Sequence, residues 1–535
     1  MSGSGELITH TEALLAKQEW SPAALHVRLG AQQVASRAEA HQWRRLIERV
    51  PEDQRTAGAW PHALAWLAYR ADDLPLLAFA LAQRPGAYPA VEAYQASLNG
   101  DWQQTLSWAE AALAEPSTSL PDRGLAARFR ACALTELGAV HWQDAFDAAR
   151  RHLKGRDRGV LNLDFAYYLI RAGQEAAARD VLAEAVSELR HDACLLTLAL
   201  ADLGITCLRQ NLFAEAERSL RRAIKVGHTP EGRMYLSTAW RGLGGLYLRQ
   251  GQPARAHYAY EMAQAKADMP DDRSKAMRSS ALVTRLRGQL NDAMTLLHDV
   301  LHHDRVPDGQ PHPVYADLAA VLVLAGDRAG AQAALERVPS GSIEDAWRAG
   351  VVRAELQRLD GQDARTDLNA LNISAAWARQ EAWVFPKLFA SIGVVSPLPE
   401  WEAVVYMVGP LRVTMNGVDI LLNAHRPAAA LLALLVINGG RVSAERALDA
   451  LTLPGQTPRA QHKELSRTVR ELWEALGWRG AVTFGGGVVC LSDEVNWRSV
   501  LPAPSQSETF CEGRYDRWIL EWRDEQSKLN IFAFD

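Results

Sequence analysis

Cysteine is scarce and poorly placed for a framework. Cys132, Cys194, Cys207, Cys490 and Cys511 are odd in number, far apart and without CxxC spacing. That argues against a disulfide scaffold or a zinc site and fits a reducing cytoplasm. Positive charge is not in excess either: the net charge is −5. The chain as a whole is therefore not built to coat a polyanion, and any nucleic-acid contact must come from a local patch. Long apolar runs are missing. The longest lies around Ala428–Ile437, short of the roughly 20 helical residues that cross a bilayer. The opening Met1–Glu6 has no basic segment followed by an apolar one, so no signal peptide is read there. GxxxxGK[ST], GxSxG and HExxH are absent too. The expectation is a cytoplasmic protein that is not an enzyme and carries no cofactor, catalytic residue or metal site.

What is present is repetition. With 535 residues, 48% hydrophobic and 23% charged, the chain has room for several domains or one long solenoid. The clearest unit, Ser237 to Ala263, carries Trp240, Leu243, Gly244, Tyr247, Gly251, Ala256, Tyr260 and Ala263. Small residues at Gly244 and Ala256 let two antiparallel helices approach. Trp240, Tyr247 and Tyr260 fill the space around them, and Gly251 supplies the turn. Turn positions recur at Gly100, Gly138, Gly173, Asn211, Gly251, Gly288, Gly326 and Gly361, 35 to 40 residues apart. This pattern resembles the tetratricopeptide repeat, whose usual period is about 34 residues. The fold class expected is mainly α: a tetratricopeptide-type α-solenoid followed by a small α+β winged-helix domain. Residues 1–85 read as a diverged helical cap or earlier repeats, and 86–385 as the solenoid.

A solenoid of helix pairs curves, and the first helix of each pair lines the concave side. In the frame set by Gly244, the inward positions are Tyr167 and Arg171, then Arg209, then Arg241 and Arg249, then Lys275, Arg278 and Arg285. Such a row suits a protein, peptide or small anionic ligand held in the groove. A simpler reading stands beside it. Arg171, Arg209 and Arg249 close their helices, where a cation complements the helix dipole.

The C-terminal part has another character. Residues 386–402, with Pro397 and Pro399, read as a linker. Three strand-like stretches follow, with Asn416-Gly417 as a hairpin turn between the last two. An apolar helix over Pro427–Ile437 stops at Gly439-Gly440, and a second runs from Ser443 to Leu451. A third starts after Thr457-Pro458 and stops at Gly477, and a glycine-tipped hairpin spans Ala481–Leu491. On the third helix Leu465, Val469, Leu472 and Leu476 form an apolar stripe, while Lys463, Arg467 and Arg470 share another face.

These stretches, Val408–Val413, Arg426–Leu435, Gly440–Ser443, Thr457–Gln461, Ser466–Arg470 and Gly485–Gly487, resemble the OmpR-type winged helix at the head of the bacterial antibiotic regulatory protein family of transcriptional activators. The resemblance implies a DNA-binding domain over 403–500, its third helix in the major groove of double-stranded DNA. Arg459, Gln461, His462, Lys463, Ser466, Arg467 and Arg470 would then face the duplex, with Arg441 and Ser443 at backbone phosphates. The segment 508–535 is similar to the first helix of that family's activation domain. Two departures stand out. Residues 401–500 hold ten Lys+Arg against nine Asp+Glu, and the wing Thr483–Leu491 has no basic residue. A near-neutral module of this kind is compatible with DNA binding as a homodimer.

The leading expectation is a transcription regulator whose repeats sense a ligand or partner and control a winged helix. The competing one is a scaffold or adaptor whose winged helix docks protein instead of DNA.

Overall fold

The computed structural model describes residues 3–339, 343–396, 401–420, 422–451, 457–502 and 509–532. It is mainly α, and the chain packs as two units. One comprises Met1–Gly242 with Lys266–Met269, the other Leu243–Ala265 with Pro270–Asp535. The border falls inside the repeat series, within the helix Leu236–Arg249.

All eight turn positions named from spacing have positive φ, from +61° at Asn211 to +86° at Gly326. This left-handed conformation is cheap for glycine and tolerated by asparagine, so the sequence places it where each pair must reverse. In the first unit the pairs are Pro89–Leu98 with Trp102–Ala114, Leu120–Glu136 with Trp142–His152, Gly155–Arg171 with Glu175–Glu188, and Ala193–Arg209 with Phe213–Gly227. An earlier hairpin, Trp60–Ala71 with Leu74–Gln83, turns on Asp72 at φ +57°. Ahead of it lie the helices Trp20–Gln33 and Arg37–Ile47. Arg70, 2% exposed, ties this cap down. It donates to the carbonyls of Ala31 (3.1 Å) and Gln32 (3.0 Å) and pairs with Asp157.

In the second unit Pro253–Ala265 is followed by the pairs Pro270–Leu286 with Leu290–His303, Val314–Leu324 with Arg328–Leu335, and Ile343–Leu359 with Arg365–Ala370. Close packing explains Gly244. A Cβ there would sit 2.4 Å from the ring of Tyr260, so only glycine lets the second helix seat its tyrosine. The short helices Ala375–Ala382 and Pro386–Ala390 close the run. The proposed linker is thus helical at its start, while its Pro397 and Pro399 lie outside the described residues.

The winged-helix module sits in the same unit. Strands β1 (Glu402–Tyr406), β2 (Arg412–Met415) and β3 (Val418–Ile420) form an antiparallel meander. Asn416 (φ +47°) and Gly417 (φ +79°) turn the hairpin. Strand β4 (Arg441–Ser443) pairs with β6 (Val488–Leu491), which pairs with β5 (Val482–Gly485) to make the wing. Strand β7 (Asn496–Val500) returns to lie parallel to β1. The sequence reading gave no strand there. The helix Pro427–Ile437 is buried from Ala428 to Leu435 and forms the module's centre. The C-terminal helix Arg517–Phe532 packs Trp518, Ile519 and Trp522 on the module's core, with Phe510 stacked 3.8 Å from Trp522.

Candidate nucleic-acid interface and repeat groove

The helix Pro458–Leu476 is the candidate reading helix of the module. Thr457 caps it by accepting from the amide of Ala460 at 3.3 Å, Pro458 occupies its first turn, and Gly477 ends it at φ +88°. Leu465, Val469, Leu472 and Leu476 are all buried, so the apolar stripe fixes the helix's rotation. That rotation leaves Arg459, His462, Lys463, Ser466, Arg467 and Arg470 exposed and Gln461 half-buried. Trp473 donates to the carbonyl of Val482 at 2.6 Å, tying the helix to the wing, and His462 stacks over Phe484 of β5 with 6.1 Å between ring centres.

Not every polar group on this face is uncommitted. The Ser466 hydroxyl donates to the His462 carbonyl at 2.9 Å. Arg467 pairs with Glu464 on its own helix. Glu471 is held by Arg426 at 2.7 Å, and that hydrogen bond, with the charge behind it, raises the pKa of Arg426. Lys463 and Arg470 make no ion pair among the described residues. Arg441 is exposed on β4. Ser443 accepts from the amide of Arg446 at 3.2 Å, so its oxygen caps the helix Ala444–Leu451. The wing tip is the glycine run Gly485–Gly487, without a cation.

The groove residues have a different fate. In the first unit Arg171 reaches Glu136 at 2.6 Å and lies over the rings of Tyr167 and Tyr168 at 5.5 and 5.7 Å. Arg209 faces Glu175 at 3.4 Å. Arg241 stands near Asp202, whose carboxyl is pushed up to about 7 by burial against the pull of that guanidinium. In the second unit Arg249 is also engaged. Lys275 pairs with Asp271 at 2.5 Å. Arg278 is shared between Asp317 (2.7 Å) and Asp345 (2.6 Å), and Arg348 reaches the other oxygen of Asp317 at 2.6 Å. Burial pushes Asp317 up, but Arg348 and Arg278 together overcome it and hold the carboxyl below its usual range. Arg285 and Glu381 meet at 3.1 Å with both side chains 1% exposed.

The row is therefore not a bare anion clamp. Arg171, Arg209 and Arg278 pair with carboxylates about one repeat away, Lys275 with one on its own helix, and Arg285 with one farther along the chain. Arg171–Glu136 spans 35 residues, Arg278–Asp317 39, and outside the groove set Arg128–Asp164 and Arg156–Asp192 each span 36. Stacking brings the same level of successive first helices together, so an arginine on one meets an acid on the next. Glu136, Glu175 and Asp317 stand about one repeat from their arginines, a spacing present in the sequence beside the arginine row itself. Tyr167, 54% exposed, keeps an open face.

No protein-family model matches this chain, and no curated protein matches it. Solved structures do. The apo form of RapI aligns over 72% of this chain and 98% of its own, at 9% identity and TM-score 0.41. A signal-transduction ATPase with a tetratricopeptide-repeat sensor, from Pyrococcus horikoshii, aligns over 70% of this chain and 54% of its own (15% identity, TM-score 0.39). Aspartyl phosphate phosphatase F from Bacillus subtilis aligns over 74% and 97% (12%, 0.39). At these identities the likeness is one of fold. Among the described residues no helix is long and apolar enough to cross a membrane, and no group of three or more side chains is placed to hold a metal ion.

Proposed function

We propose that this protein is a regulator of bacterial type, in which helical repeats hold a protein or peptide partner and the winged helix contacts double-stranded DNA. One observation carries the DNA part. The buried stripe of the reading helix turns Arg459, His462, Lys463, Arg467 and Arg470 together to solvent along its first three turns, beside the wing. A helix of that width fits a major groove, where arginine and lysine pair with guanine edges and with phosphates. The repeat groove, with its pairs already closed, suits a partner that brings hydrogen-bonding groups and apolar side chains better than one that brings charge alone.

Duplexes selected from a random pool, footprinted at low and near-physiological salt, test the reading. Wild-type protein is expected to protect a defined site at both. Arg467→Ala with Arg470→Ala should cost about 1–3 kcal/mol for each base contact removed and flatten the salt dependence. No protection, or protection indifferent to the double change, defeats the DNA reading. A protein-docking winged helix then takes its place. The near balance of ten Lys+Arg against nine Asp+Glu over residues 401–500, with a wing free of cations, favours that second reading.

A further inference from the structure

The reading helix is open at one end and held at the other. Its last turn abuts Pro253–Ala265, the second helix of the Gly251 repeat. Ala254 of that helix is buried in the same apolar cluster as Trp401, Leu472, Leu476 and Trp478, and Tyr258 packs against it. Between them lies Arg255, 2% exposed. Its guanidinium sits 3.8 Å from the ring centre of Tyr247 and donates to the side-chain oxygen of Gln252 at 2.6 Å. A Cβ on Gly477 would lie 3.0 Å from Arg255 Nε, so the cation stands at the C-terminal end of the reading helix, the negative end of its dipole. Two further contacts flank it. The Asn416 side-chain amide donates to the carbonyl of Gln250 at 2.8 Å, and Arg287 meets Glu494 at 2.5 Å.

We infer that this face of the Gly251 repeat is a built-in interaction surface for the winged helix, with Arg255 as its positioning residue, so that the module works as a fixed extension of the repeats. The partner it fits is the chain's own recognition module: an apolar patch around Trp401 and Trp478, ringed by a glycine-capped helix end, an asparagine turn and one acid. The guanidinium links two roles. It rests on Tyr247, which belongs to a first helix of the repeats, and it touches the last turn of the helix that would read DNA. A partner that shifts that first helix shifts the seat of Arg255, and the reading helix must follow or part from it. The dock leaves the reading face uncovered. From Arg467 to Gly477 is ten residues, or about 15 Å along a helix. It orients the module and does not mask it. The docking itself stands apart from the DNA reading; only its effect on affinity rests on that reading.

Hydrogen exchange on the full-length protein tests the dock. Arg255→Ala should speed exchange of amides 473–478 and 254–262 about ten-fold or more, while those of Pro427–Ile437 keep their wild-type rates. Arg287→Glu should loosen the same segments more mildly, and adding Glu494→Arg should restore them, an outcome that a general loss of folding cannot produce. Unchanged exchange at 473–478 in Arg255→Ala, or acceleration spread evenly over the module with no rescue by the paired charge swap, overturns the inference. Footprinting of the same variants separates the two claims. If wild-type protein binds no duplex, the DNA reading fails while the exchange result still decides the dock. If it binds, Arg255→Ala should weaken binding without touching the reading face.

Discussion

Arginines in the repeats and arginines on the reading helix look alike in the sequence and end in different states. In the repeats an arginine at one level of a first helix meets an acid on the neighbouring repeat, as in Arg128–Asp164 and Arg278–Asp317. On the reading helix Arg459 and Arg470 face solvent with no ion pair among the described residues, and only Arg467 has an acid at hand. The difference lies in the surroundings. A stacked helix is flanked by copies of itself, whose acids fall at one-repeat spacing. The third helix of the module turns one face of its first turns to solvent. The same residue is a brace in one setting and is left open to solvent in the other.

The comparison can be broken most forcefully at Arg285–Glu381. Both side chains are 1% exposed, so Glu381→Ala leaves a buried guanidinium without its counter-charge. A loss of about 3–5 kcal/mol in denaturant unfolding is expected. A loss below 1 kcal/mol would mean that water reaches the site and that the pair is not a brace. Acid titration should give an intermediate effect. Asp317 and Asp157 are held below the ordinary carboxylate range, by Arg348 with Arg278 and by Arg70, each against the opposing effect of burial. Their contribution is present above the unfolded-state value and lost as pH falls through the lowered one, so melting temperatures should fall steeply below about pH 4. Asp202 has the opposite sign. Its folded value is raised to about 7, so its contribution is present at low pH and lost as pH rises through that value. Asp202→Asn should therefore raise the melting temperature more at pH 8 than at pH 5. The smallest effect belongs to Arg328–Asp360, whose side chains are 51% and 56% exposed. Arg328→Ala should cost between about 0 and 1 kcal/mol in the same denaturant assay.

Much of the repeat architecture was legible because its turns demand a special backbone. Eight positions at near-constant spacing named the left-handed residues, and the structure has all eight at positive φ. The hairpin around Asp72 was not found because its turn uses aspartate, which carries no comparable signal. The reading helix was legible from its stripe and from Thr457-Pro458 at its start. Strand β7 was not, since Asn496-Trp-Arg-Ser-Val500 lacks an apolar run and pairs with a strand more than ninety residues earlier. The candidate groove was half legible. Position in the frame names candidate inward residues, but whether a cation is paired depends on acids on other repeats, such as Glu136 for Arg171 and Asp317 for Arg278, which only the fold brings together. The seat of Gly477 on Arg255 had no sequence signal at all, because it joins two segments of unrelated pattern.

The ion pairs between neighbouring repeats also give the stack a running order. A repeat that offers an arginine forward, as those of Arg128 and Arg278 do, fits only in front of one that carries an acid at the matching level. Leu163 stands at the level where Arg128 and Arg278 stand in their own repeats, and in the next repeat Asp202 is left with its raised carboxyl. Excising or duplicating a single pair of helices would therefore leave mismatched charges at the new junction, even where the apolar faces still matched. Repeats of this protein are not interchangeable parts, and a shortened version would have to be cut where no arginine reaches across.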